Sequence, residues 1–498
     1  MTSKTQPNIV FIVLDACRAD YSEKYAPTLG SLGDEGLKFT NAIAPATWTQ
    51  PSHSSFFTGK YPHEHGVTRP GQSSGPTDLF DNLAKRGYTT HGISGNGFIS
   101  PLWGYDEAFD TFRYTQTPEP FPTGMDTYSY LRNNLREKSA LAVAGSVPIA
   151  CGKHDHPVRS ILNLMSTGTN AVVRRYLRPL IRIPHQTFSP NPQHSYSPEK
   201  NTKLVTDVIH EQADHDSPFF IFANYMDTHR PYQSSSILQE KHVGKALSMS
   251  EFIRLNDDVA APWEFIRLVQ NDEIDGRDIE TLRNLYAASV ASVDSHIAQV
   301  ITALKEANVR DDTVIVIVGD HGENLGETDE MGRRRFGHEA SISDALAQVP
   351  LIIDHPELNG EYEHPVSAKE VFEFITNVSD PDVSLPELEP VFNREVALCE
   401  YPALADENLY EEYPDIDDQY LQHRVSMDSV AAYRDNWRVV VESDGTEIAF
   451  QGGEQCEIET APKTVVRSAH EACNKLGTLG SDGSSKEVEN RLKELGYL

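Results

Sequence analysis

The fold of this chain is decided by the stretch NIVFIVLD, residues 8–15. Residues 9–14 are all apolar, without the alternation of a half-exposed strand, so they predict a strand that is covered on both faces. Such strands belong to parallel sheets flanked by helices. Asp15 follows at the carboxyl end, where open α/β sheets bind their ligands. Asp15 is therefore either a candidate metal ligand or a residue that caps the loop.

Two further buried strands are predicted later in the chain, and each is followed by residues that can bind metals. They are FFIFANY at residues 219–225 and VIVIV at residues 314–318. An Asp next to a His offers one hard oxygen and one imidazole nitrogen, which Zn²⁺ or Mn²⁺ accepts. The residues after the two strands are Asp227, His229 and Arg230 in the first case, and Asp320 with His321 in the second.

The segments between these strands predict helices that alternate with strands. An amphipathic helix is predicted over residues 78–87, a strand over 88–94, and longer helices over 198–212 and 278–307. Residues 233–277 show no such pattern and are predicted to be mainly loop. The alternation predicts an α/β fold with a doubly wound, mostly parallel sheet flanked by helices.

The predicted domain boundaries follow from changes in this pattern. Residues 1–360 form the predicted main domain, and residues 113–197 are predicted as an insertion because the alternation fails there. Its arginine cluster either contacts an anionic substrate or membrane surface or pairs with the acidic body. Residues 361–498 are predicted as a smaller C-terminal α+β subdomain. Its predicted elements are a helix at 366–375, strands at 395–400, 429–434 and 437–441, and a helix at 484–495.

The stretch ATWTQPSHSSFFTGK, residues 46–60, is where we place the chemistry. Pro51 and the small polar residues after it are typical of a helix N-terminus, and Thr49 lies just before them. Backbone N–H groups and the helix dipole favour anions at such an end. A hydroxyl needs a metal ion or a base to become a nucleophile at neutral pH. Thr49 is thus either a nucleophile activated by residues from elsewhere or a simple helix cap.

The composition excludes several classes of partner. Among 498 residues, 74 are acidic and 43 are basic, and the formal net charge is −31. Such a field repels nucleic acids and anionic membranes. It also suits a cytoplasm of high salt, in which the self-repulsion is screened, so we hypothesise a halophilic-like surface. A refolding yield that is indifferent to salt would exclude this hypothesis.

The cysteines and the first residues indicate a cytoplasmic protein. The five cysteines are scattered, odd in number and without a CxxC motif, which favours reduced thiols. The chain enters its first strand without a charged and then apolar leader, and no apolar run reaches about 18 residues. We therefore expect a soluble protein that is not exported and has no transmembrane segment.

Six segments of the chain occur in the order of a known family. They are PNIVFIVLDACRADY (7–21), GLKFTNAIAPATWTQPSHSSFFTGKYPHEHGV (36–67), RGYTTHGISGN (86–96), MDTHRPY (226–232), VIVIVGDHGENLGE (314–327) and GHEASISDALAQVPLII (337–353). With these segments the chain resembles the sulfatase family of the alkaline phosphatase superfamily. The resemblance implies an alkaline phosphatase-like fold and a metal-dependent hydrolase of sulfate or phosphate esters.

The candidate residues form two possible metal sites. The first consists of Asp15, Thr49, Asp320 and His321. The second consists of Asp227, His229 and His338. Either would hold a divalent ion, with Zn, Mn, Ca and Mg as candidates, and an ion at the first would lower the pKa of the Thr49 hydroxyl. We favour one ion, because Asp227 and His229 are closer in sequence than the Asp and His ligands of the superfamily's two-metal phosphodiesterases.

Several positions depart from the family pattern. Family sulfatases carry Cys or Ser in a CxPSR motif, which is converted to formylglycine, whereas Thr49 and His53 stand at its first and last positions here. Threonine cannot form that aldehyde, so a formylglycine mechanism is excluded if Thr49 is the nucleophile. Ala16 stands where many members have a second Asp ligand. GNG at residues 95–97 replaces a segment with a sulfate-binding Lys, and His338 resembles the counterpart of a second such Lys.

The predicted reaction is a double displacement on sulfur or phosphorus. Thr49 attacks, His229 or His338 protonates the leaving alkoxide, and water releases the covalent intermediate. Thr nucleophiles occur in phosphodiesterases of the superfamily, so we favour a phosphodiester, with glycan-linked and lipid-linked anionic esters as candidate substrates. The alternatives are a phosphoethanolamine- or phosphoglycerol-type transferase and a degenerate binding protein. The residues predicted to contact the substrate are His53, Asn96, Arg230 and Lys60.

Overall fold

The computed structural model describes residues 6–75, 77–115, 196–260, 262–329, 334–339, 341–385, 391–393, 395–403 and 427–479, with Gly332 and isolated residues between 146 and 161. Two predictions lie outside these residues, namely the arginine cluster of the insertion and the helix at 484–495. By spatial proximity the chain groups into two units, residues 1–113 with 198–488 and residues 114–197 with 489–498. The domain boundary predicted near residue 360 stays a prediction.

The described residues form the following elements. The strands are β1 (Asn8–Leu14), β2 (Leu37–Ile43), β3 (Thr89–Ser94), β4 (Thr111–Tyr114), β5 (Phe219–Tyr225), β6 (Thr313–Gly319), β7 (Asn324–Thr328), β8 (Arg334–Gly337), β9 (Gln348–Asp354), β10 (Gly360–Tyr362), β11 (Val366–Ser367), β12 (Ala397–Tyr401), β13 (Ser429–Arg434), β14 (Trp437–Glu442), β15 (Glu447–Gln451) and β16 (Glu454–Cys456). The helices are α1 (Ala19–Tyr25), α2 (Pro27–Glu35), α3 (Thr49–Thr58), α4 (Pro62–His65), α5 (Asp78–Lys85), α6 (Pro198–Gln212), α7 (Ser236–Val243), α8 (Met249–Ile253), α9 (Pro262–Gln270), α10 (Gly276–Glu306), α11 (Asp344–Ala347), α12 (Val371–Val378) and α13 (Lys463–Leu479).

The main sheet has the strand order β10-β2-β9-β6-β1-β5-β3-β4, and β11 also pairs with β2. The four strands β6, β1, β5 and β3 are parallel to one another. Strand β9 is antiparallel to both β6 and β2. The prediction of a mostly parallel sheet flanked by helices is therefore confirmed.

The centre of the sheet consists of the three strands that the apolar stretches predict. All residues of β5 and β6 are buried, and so is every residue of β1 after Asn8. On one face the long helix α10 packs its apolar side into the same core as β1, β5 and β6. Burial of each large apolar side chain contributes about 1.5–3 kcal/mol. The carboxyl ends of β1 and β6 are thus held side by side by a core that leaves them little freedom.

The C-terminal part forms a separate antiparallel sheet with the order β12-β13-β14-β15-β16. Helix α13 packs on one face of it, where the apolar residues of the helix and of the strands share one core. The strands predicted there and the α+β character are confirmed. Helix α13 itself was not predicted from the sequence.

One sequence prediction of secondary structure is wrong, and a second is right in type but begins later in the chain. Residues 233–277 are not mainly loop, because they contain α7, α8, a π-helical turn at Arg254–Val259 and α9. Helix α7 buries none of its residues, so it lacks the apolar stripe that would reveal it. Residues 366–375 begin as strand β11 and only become the helix α12 at Val371.

No described helix has both the length and the apolar character that crossing a lipid bilayer requires.

Candidate active site

Three predicted ligands meet at the carboxyl ends of β1 and β6. Leu14 and Gly319 are register partners in these adjacent parallel strands, so the residues that follow them emerge together. Asp15, Asp320 and His321 are fully buried. One ligand atom from each lies within 4.8 Å of the other two, and no other such group is found among the described residues.

The hydrogen bonds leave the inner atoms of this group available. Asp320 Oδ1 accepts from the backbone N–H groups of Ala16 at 3.0 Å and of His321 at 2.8 Å. His321 Nδ1–H donates to the Gly322 carbonyl at 2.8 Å, which leaves the lone pair of Nε2 free. That Nε2 is 3.8 Å from Asp15 Oδ1 and 3.6 Å from Asp320 Oδ2. Neither oxygen has a hydrogen-bond partner in the described part of the chain.

The electrostatics of the group favour a bound cation. Burial raises the pKa of Asp320 well above its usual range, and the nearby Asp15 carboxylate adds to this effect. Burial also lowers the pKa of His321 well below its usual range, so its imidazole is neutral, which is the form that binds metals. Two buried carboxyl oxygens without donors are costly unless a cation compensates them. Two carboxylates and one oriented imidazole therefore fit a divalent ion.

The turn after β1 is fixed by helix α10. Ala16 has a φ of +57°, in the left-handed region that non-glycine residues rarely adopt. The Tyr286 hydroxyl of α10 donates to the Ala16 carbonyl at 2.7 Å and accepts from the Arg18 N–H at 2.9 Å. This clamp holds the turn so that the Ala16 N–H reaches Asp320.

Thr49 lies beside the ligand group. It is the first residue of α3, follows Trp48 in extended conformation, and is only 3% exposed. Its Oγ1 is 3.5 Å from His321 Nε2. In the first turn of α3, Ser52 Oγ donates to the Ala46 carbonyl at 3.1 Å and ties the helix to the segment before it. The structure thus places Thr49 at a helix N-terminus, as the sequence predicts.

His53, the last residue of the TQPSH segment, has both ring nitrogens in contact with other residues of the protein. Its Nδ1–H donates to the Thr49 carbonyl at 2.9 Å, and its Nε2 accepts from Asn224 Nδ2 at 3.4 Å. The ring is fully buried against Phe222, and burial lowers the pKa of His53 to about 4. Both nitrogens are therefore engaged by the protein, and the neutral ring positions the start of α3. His53 Nδ1 is also 3.6 Å from Asp320 Oδ2, so the ring borders the ligand group, and its contact with the anionic group stays a prediction.

Asn96, whose predicted contact with the substrate stays a prediction, forms hydrogen bonds within the protein. Its Nδ2 donates to Asp15 Oδ2, and its Oδ1 accepts from the Phe98 N–H at 2.6 Å. Asn96 therefore orients Asp15 so that Oδ1 is the oxygen left for a metal. The predicted substrate contact of Lys60 stays a prediction. Lys60 is exposed and lies beyond the far end of α3, a ten-residue helix that spans about 15 Å.

His229 and His338 form a second pair of residues beside the ligands. Their ring centroids are 5.3 Å apart, and the His338 ring is 4.4 Å from that of His321. His338 Nδ1 is 3.2 Å from Glu323 Oε1. Burial alone would lower the pKa of His338, but the carboxylates of Glu339 and Glu323 outweigh it and raise the pKa to about 9. His338 is therefore a protonated imidazole at neutral pH.

The predicted second metal site, Asp227 with His229 and His338, stays a prediction. Asp227 Oδ1 is 4.0 Å from His296 Nε2, and Asp227 is not part of the one ligand group found among the described residues. Arg230, next to His229, is partly exposed, and its guanidinium donates to a backbone carbonyl at 3.4 Å. The single-ion alternative is the one whose ligands come together.

A family model described as Sulfatase matches residues 7–380 of the chain. This match covers well over half of the sequence. The chain belongs to the sulfatase family.

Several relatives of this sulfatase-family chain are known. An uncharacterized sulfatase of Escherichia coli (strain K12) is 23% identical over 408 residues, which cover 77% of this chain and 70% of the relative. A multifunctional alkaline phosphatase superfamily protein of Trinickia caryophylli is 23% identical over 389 residues, with 70% of this chain and 68% of the relative covered. The crystal structure of a phosphonate monoester hydrolase of Agrobacterium radiobacter superposes with a TM-score of 0.56 at 18% identity, covering 95% of each chain. This structural likeness supports the fold.

Two residues of this site, Glu323 and Asn224, were not predicted from the sequence. Glu323 lies two positions after His321 in the segment GDHGE, and this spacing was the available signal. Asn224 lies inside the apolar stretch of β5 and is fully buried, so a polar residue in a buried strand was the signal there. Both residues act on predicted residues, Glu323 on His338 and Asn224 on His53.

Proposed function

We propose that this sulfatase-family chain is a metal-dependent hydrolase that cleaves sulfate or phosphate esters through Thr49 as nucleophile. The observation that carries the proposal is the position of Thr49 Oγ1, 3.5 Å from His321 Nε2 at the edge of the buried ligand group. Asp15, Asp320 and His321 would hold one divalent ion with the Thr49 oxygen as a further ligand. Such an ion supplies a lowered hydroxyl pKa and compensation for the charge on the substrate.

The remaining steps of the reaction are assigned to Thr49 and His338. Thr49 Oγ1 forms a bond to sulfur or phosphorus while the bond to the leaving oxygen breaks. His338, protonated and close to the ligands, donates its proton to that leaving oxygen. Water then attacks the same sulfur or phosphorus atom and gives a proton to the now neutral His338, while the bond to Thr49 Oγ1 breaks and Thr49 is released in the deprotonated form in which it attacked. Because threonine cannot form a formylglycine, release by elimination is not available to this chain.

The charge of the site supports a monoanionic substrate. Two carboxylates would balance one divalent ion, and His53 is neutral where the family motif has a cationic Arg. The charge of His338 is matched by Glu323 and Glu339. With no surplus of positive charge, the dianion of a phosphate monoester is poorly compensated. We therefore favour a phosphodiester, followed by phosphonate monoesters and sulfate monoesters.

The proposal is tested by assays with a panel of p-nitrophenyl sulfate, phosphate, phosphodiester and phosphonate esters. Thr49→Ala should abolish turnover and keep the metal content of the wild type, while Thr49→Ser, which keeps a hydroxyl, should retain part of the rate. Mass spectrometry of quenched turnover should find the added sulfate or phosphoryl group on Thr49. A Thr49→Ala enzyme with full activity would disprove the assignment.

The same assay distinguishes the proposed hydrolase from the two alternative functions, a transferase and a binding protein. If an acceptor alcohol resolves the Thr49 intermediate, added glycerol or sugar yields a transfer product and the chain is a transferase. If no ester is cleaved while a metal is bound, the chain is a binding protein on an enzyme scaffold.

We also propose a cytoplasmic location for the chain. None of the five cysteines forms a disulfide, and four of them are buried. This usage supports a reducing compartment. Disulfides detected in protein purified from its native source would contradict the proposal.

A further inference from the structure

One residue of the C-terminal sheet pairs with the segment that leads to Thr49. Glu400 lies on β12, the edge strand of that sheet, and is fully buried. Its N–H donates to the Pro45 carbonyl at 3.0 Å, and its carbonyl accepts from the Thr47 N–H at 3.2 Å. Ala46 and Glu400 thereby form a parallel β-bridge. The backbone two residues before Thr49 is therefore held by the C-terminal sheet.

The side chain of the same residue holds the segment that follows α3. Glu400 Oε2 accepts from the His63 N–H at 2.9 Å, and Glu400 Oε1 is 2.5 Å from His63 Nδ1. The His63 side chain is 7% exposed and that of Glu400 is 0% exposed, so water does not compete for these bonds. A buried carboxylate with two charge-assisted bonds to one partner is a rigid connection. Glu400 therefore contacts the chain on both sides of α3.

Neighbouring residues hold the far end of α3 in the same way. The Leu398 N–H of β12 donates to the Tyr61 hydroxyl at 3.2 Å. Lys369 Nζ donates to the Gly59 carbonyl at 3.0 Å and lies 4.8 Å from the centroid of the Tyr61 ring. The C-terminal residues thus contact the chain on both sides of α3.

We infer that Glu400 is a positioning residue for the reaction at Thr49, because it fixes the two segments that flank the helix carrying the nucleophile. The inference rests on the proposed function. Glu400 touches no ligand of the metal group and would not change which ion or substrate is bound. Its effect is on where Thr49 Oγ1 lies relative to His321. A misplacement of about 1 Å at a reacting atom costs on the order of 100-fold in rate.

The test compares kcat, KM, metal content and melting temperature in Glu400 variants. Glu400→Ala should lower kcat by about 10- to 100-fold, the range expected for a displaced nucleophile, and leave KM and metal content unchanged. Glu400→Gln keeps an acceptor for the His63 N–H and should recover part of that loss. His63→Ala should reproduce the Glu400→Ala effect, and the double variant should be no worse than either single one.

The control is Val439→Ala, a cavity variant in the C-terminal sheet. Val439 is fully buried in the core between this sheet and α13. The Val439→Ala substitution should lower the melting temperature and keep the wild-type kcat. A loss of kcat in Val439→Ala as large as in Glu400→Ala would overturn the inference, because destabilisation alone would then explain the effect. A wild-type kcat in Glu400→Ala would overturn it as well.

Thr49→Ala, assayed in parallel, separates this inference from the proposed function. If Thr49→Ala is inactive and Glu400→Ala is as active as the wild type, only the role of Glu400 fails. If Thr49→Ala is fully active, the proposed function fails. Should Glu400→Ala give no folded protein, Glu400→Gln and His63→Ala decide by the same criteria.

Discussion

At the scale of single residues, the two oxygens of Asp15 have different tasks. Oδ2 accepts from the Asn96 amide, and Oδ1 has no hydrogen-bond partner in the described part of the chain. A ligand carboxylate whose second oxygen is held by an amide is oriented before the ion arrives. The family resemblance leads one to expect a sulfate-binding Lys in this segment, and Asn96 Nδ2 there donates to Asp15 Oδ2.

Removal of the Asn96 amide should therefore weaken metal binding. We predict that Asn96→Ala lowers the affinity for Zn²⁺ or Mn²⁺ by about 10- to 100-fold, the usual effect of losing a residue that orients a ligand. Titration calorimetry of the metal-free protein measures the metal affinity of the variant and of the wild type. Asn201→Ala is the matched control, because Asn201 is equally buried but donates to the Asn224 carbonyl. Equal affinities of Asn96→Ala and wild type would contradict the prediction.

The proton on His338 gives a pH dependence with a defined sign. Its pKa is raised to about 9, so the imidazolium exists below that pH and is lost above it. A cation beside His321 would repel it and lower this pKa, so kcat should fall as pH rises through 9 or somewhat below. His338→Gln should remove this alkaline fall and slow the cleavage of alkyl esters by about 100- to 10,000-fold.

The measurement is a pH profile of kcat with two leaving groups. Esters of p-nitrophenol need little protonation, so they should be much less sensitive to His338→Gln than alkyl esters. An alkaline limb that persists unchanged in the variant would assign the titration to another group.

The positions of some site residues could be predicted from the sequence, and those of others could not. Asp15, Asp320 and His321 follow apolar runs that are buried strands, and parallel strands end at the same edge, so their meeting was predictable. The direction of a side chain depends on distant partners. His53 is turned by Asn224, 171 residues away, and Asn96 by Asp15, 81 residues away. No local pattern carries that information, so the sequence predicted neither of these contacts.

At the scale of elements, helix α3 ends at a glycine that serves two purposes. Gly59 has a φ of +69°, and a Cβ there would lie 2.5 Å from the Phe372 ring. The residue thus permits both the turn after α3 and the close packing of α12. The end of the helix that carries Thr49 is defined by this one position.

Gly59→Ala should be more destabilising than a glycine replacement in open space. The left-handed backbone costs about 1–2 kcal/mol for an L-residue, and overlap with Phe372 adds about 1–3 kcal/mol. Gly66→Ala is the matched control, because Gly66 has a φ of +76° and no atom within 4 Å of its added Cβ. Urea unfolding measures the free energy of unfolding of both variants. Equal losses in the two variants would show that the Phe372 contact relaxes without cost.

Elements buried on both faces were predictable, and those on the surface were not. Strands β1, β5 and β6 have continuous apolar sequences, which few other structures tolerate. Helices α7 and α8 lie where the apolar pattern is weak, and their caps at Ser235 and Ser248 were the remaining signals. The antiparallel direction of β9 is set by its neighbours in the sheet and has no counterpart in its own sequence.

At the scale of the whole molecule, the net charge of −31 opposes folding in dilute buffer. We predict that the free energy of unfolding rises from 0.1 M toward molar KCl, because the Debye length shortens from about 10 Å to about 3 Å and screens the repulsion. Urea titrations at several KCl concentrations measure it. Replacement of KCl by an equal concentration of sucrose controls for solute exclusion. A urea midpoint independent of KCl would refute the prediction.

The long distance in sequence between His63 and Glu400 has a consequence for synthesis on the ribosome. The two residues are 337 positions apart, and all three proposed ligands precede Glu400. A nascent polypeptide can therefore complete its ion-binding residues before the support of α3 has been translated. If Glu400 acts as inferred, the emerging chain can bind its cation before it can hydrolyse esters. Ester cleavage would then begin only after the C-terminal strands have left the exit tunnel.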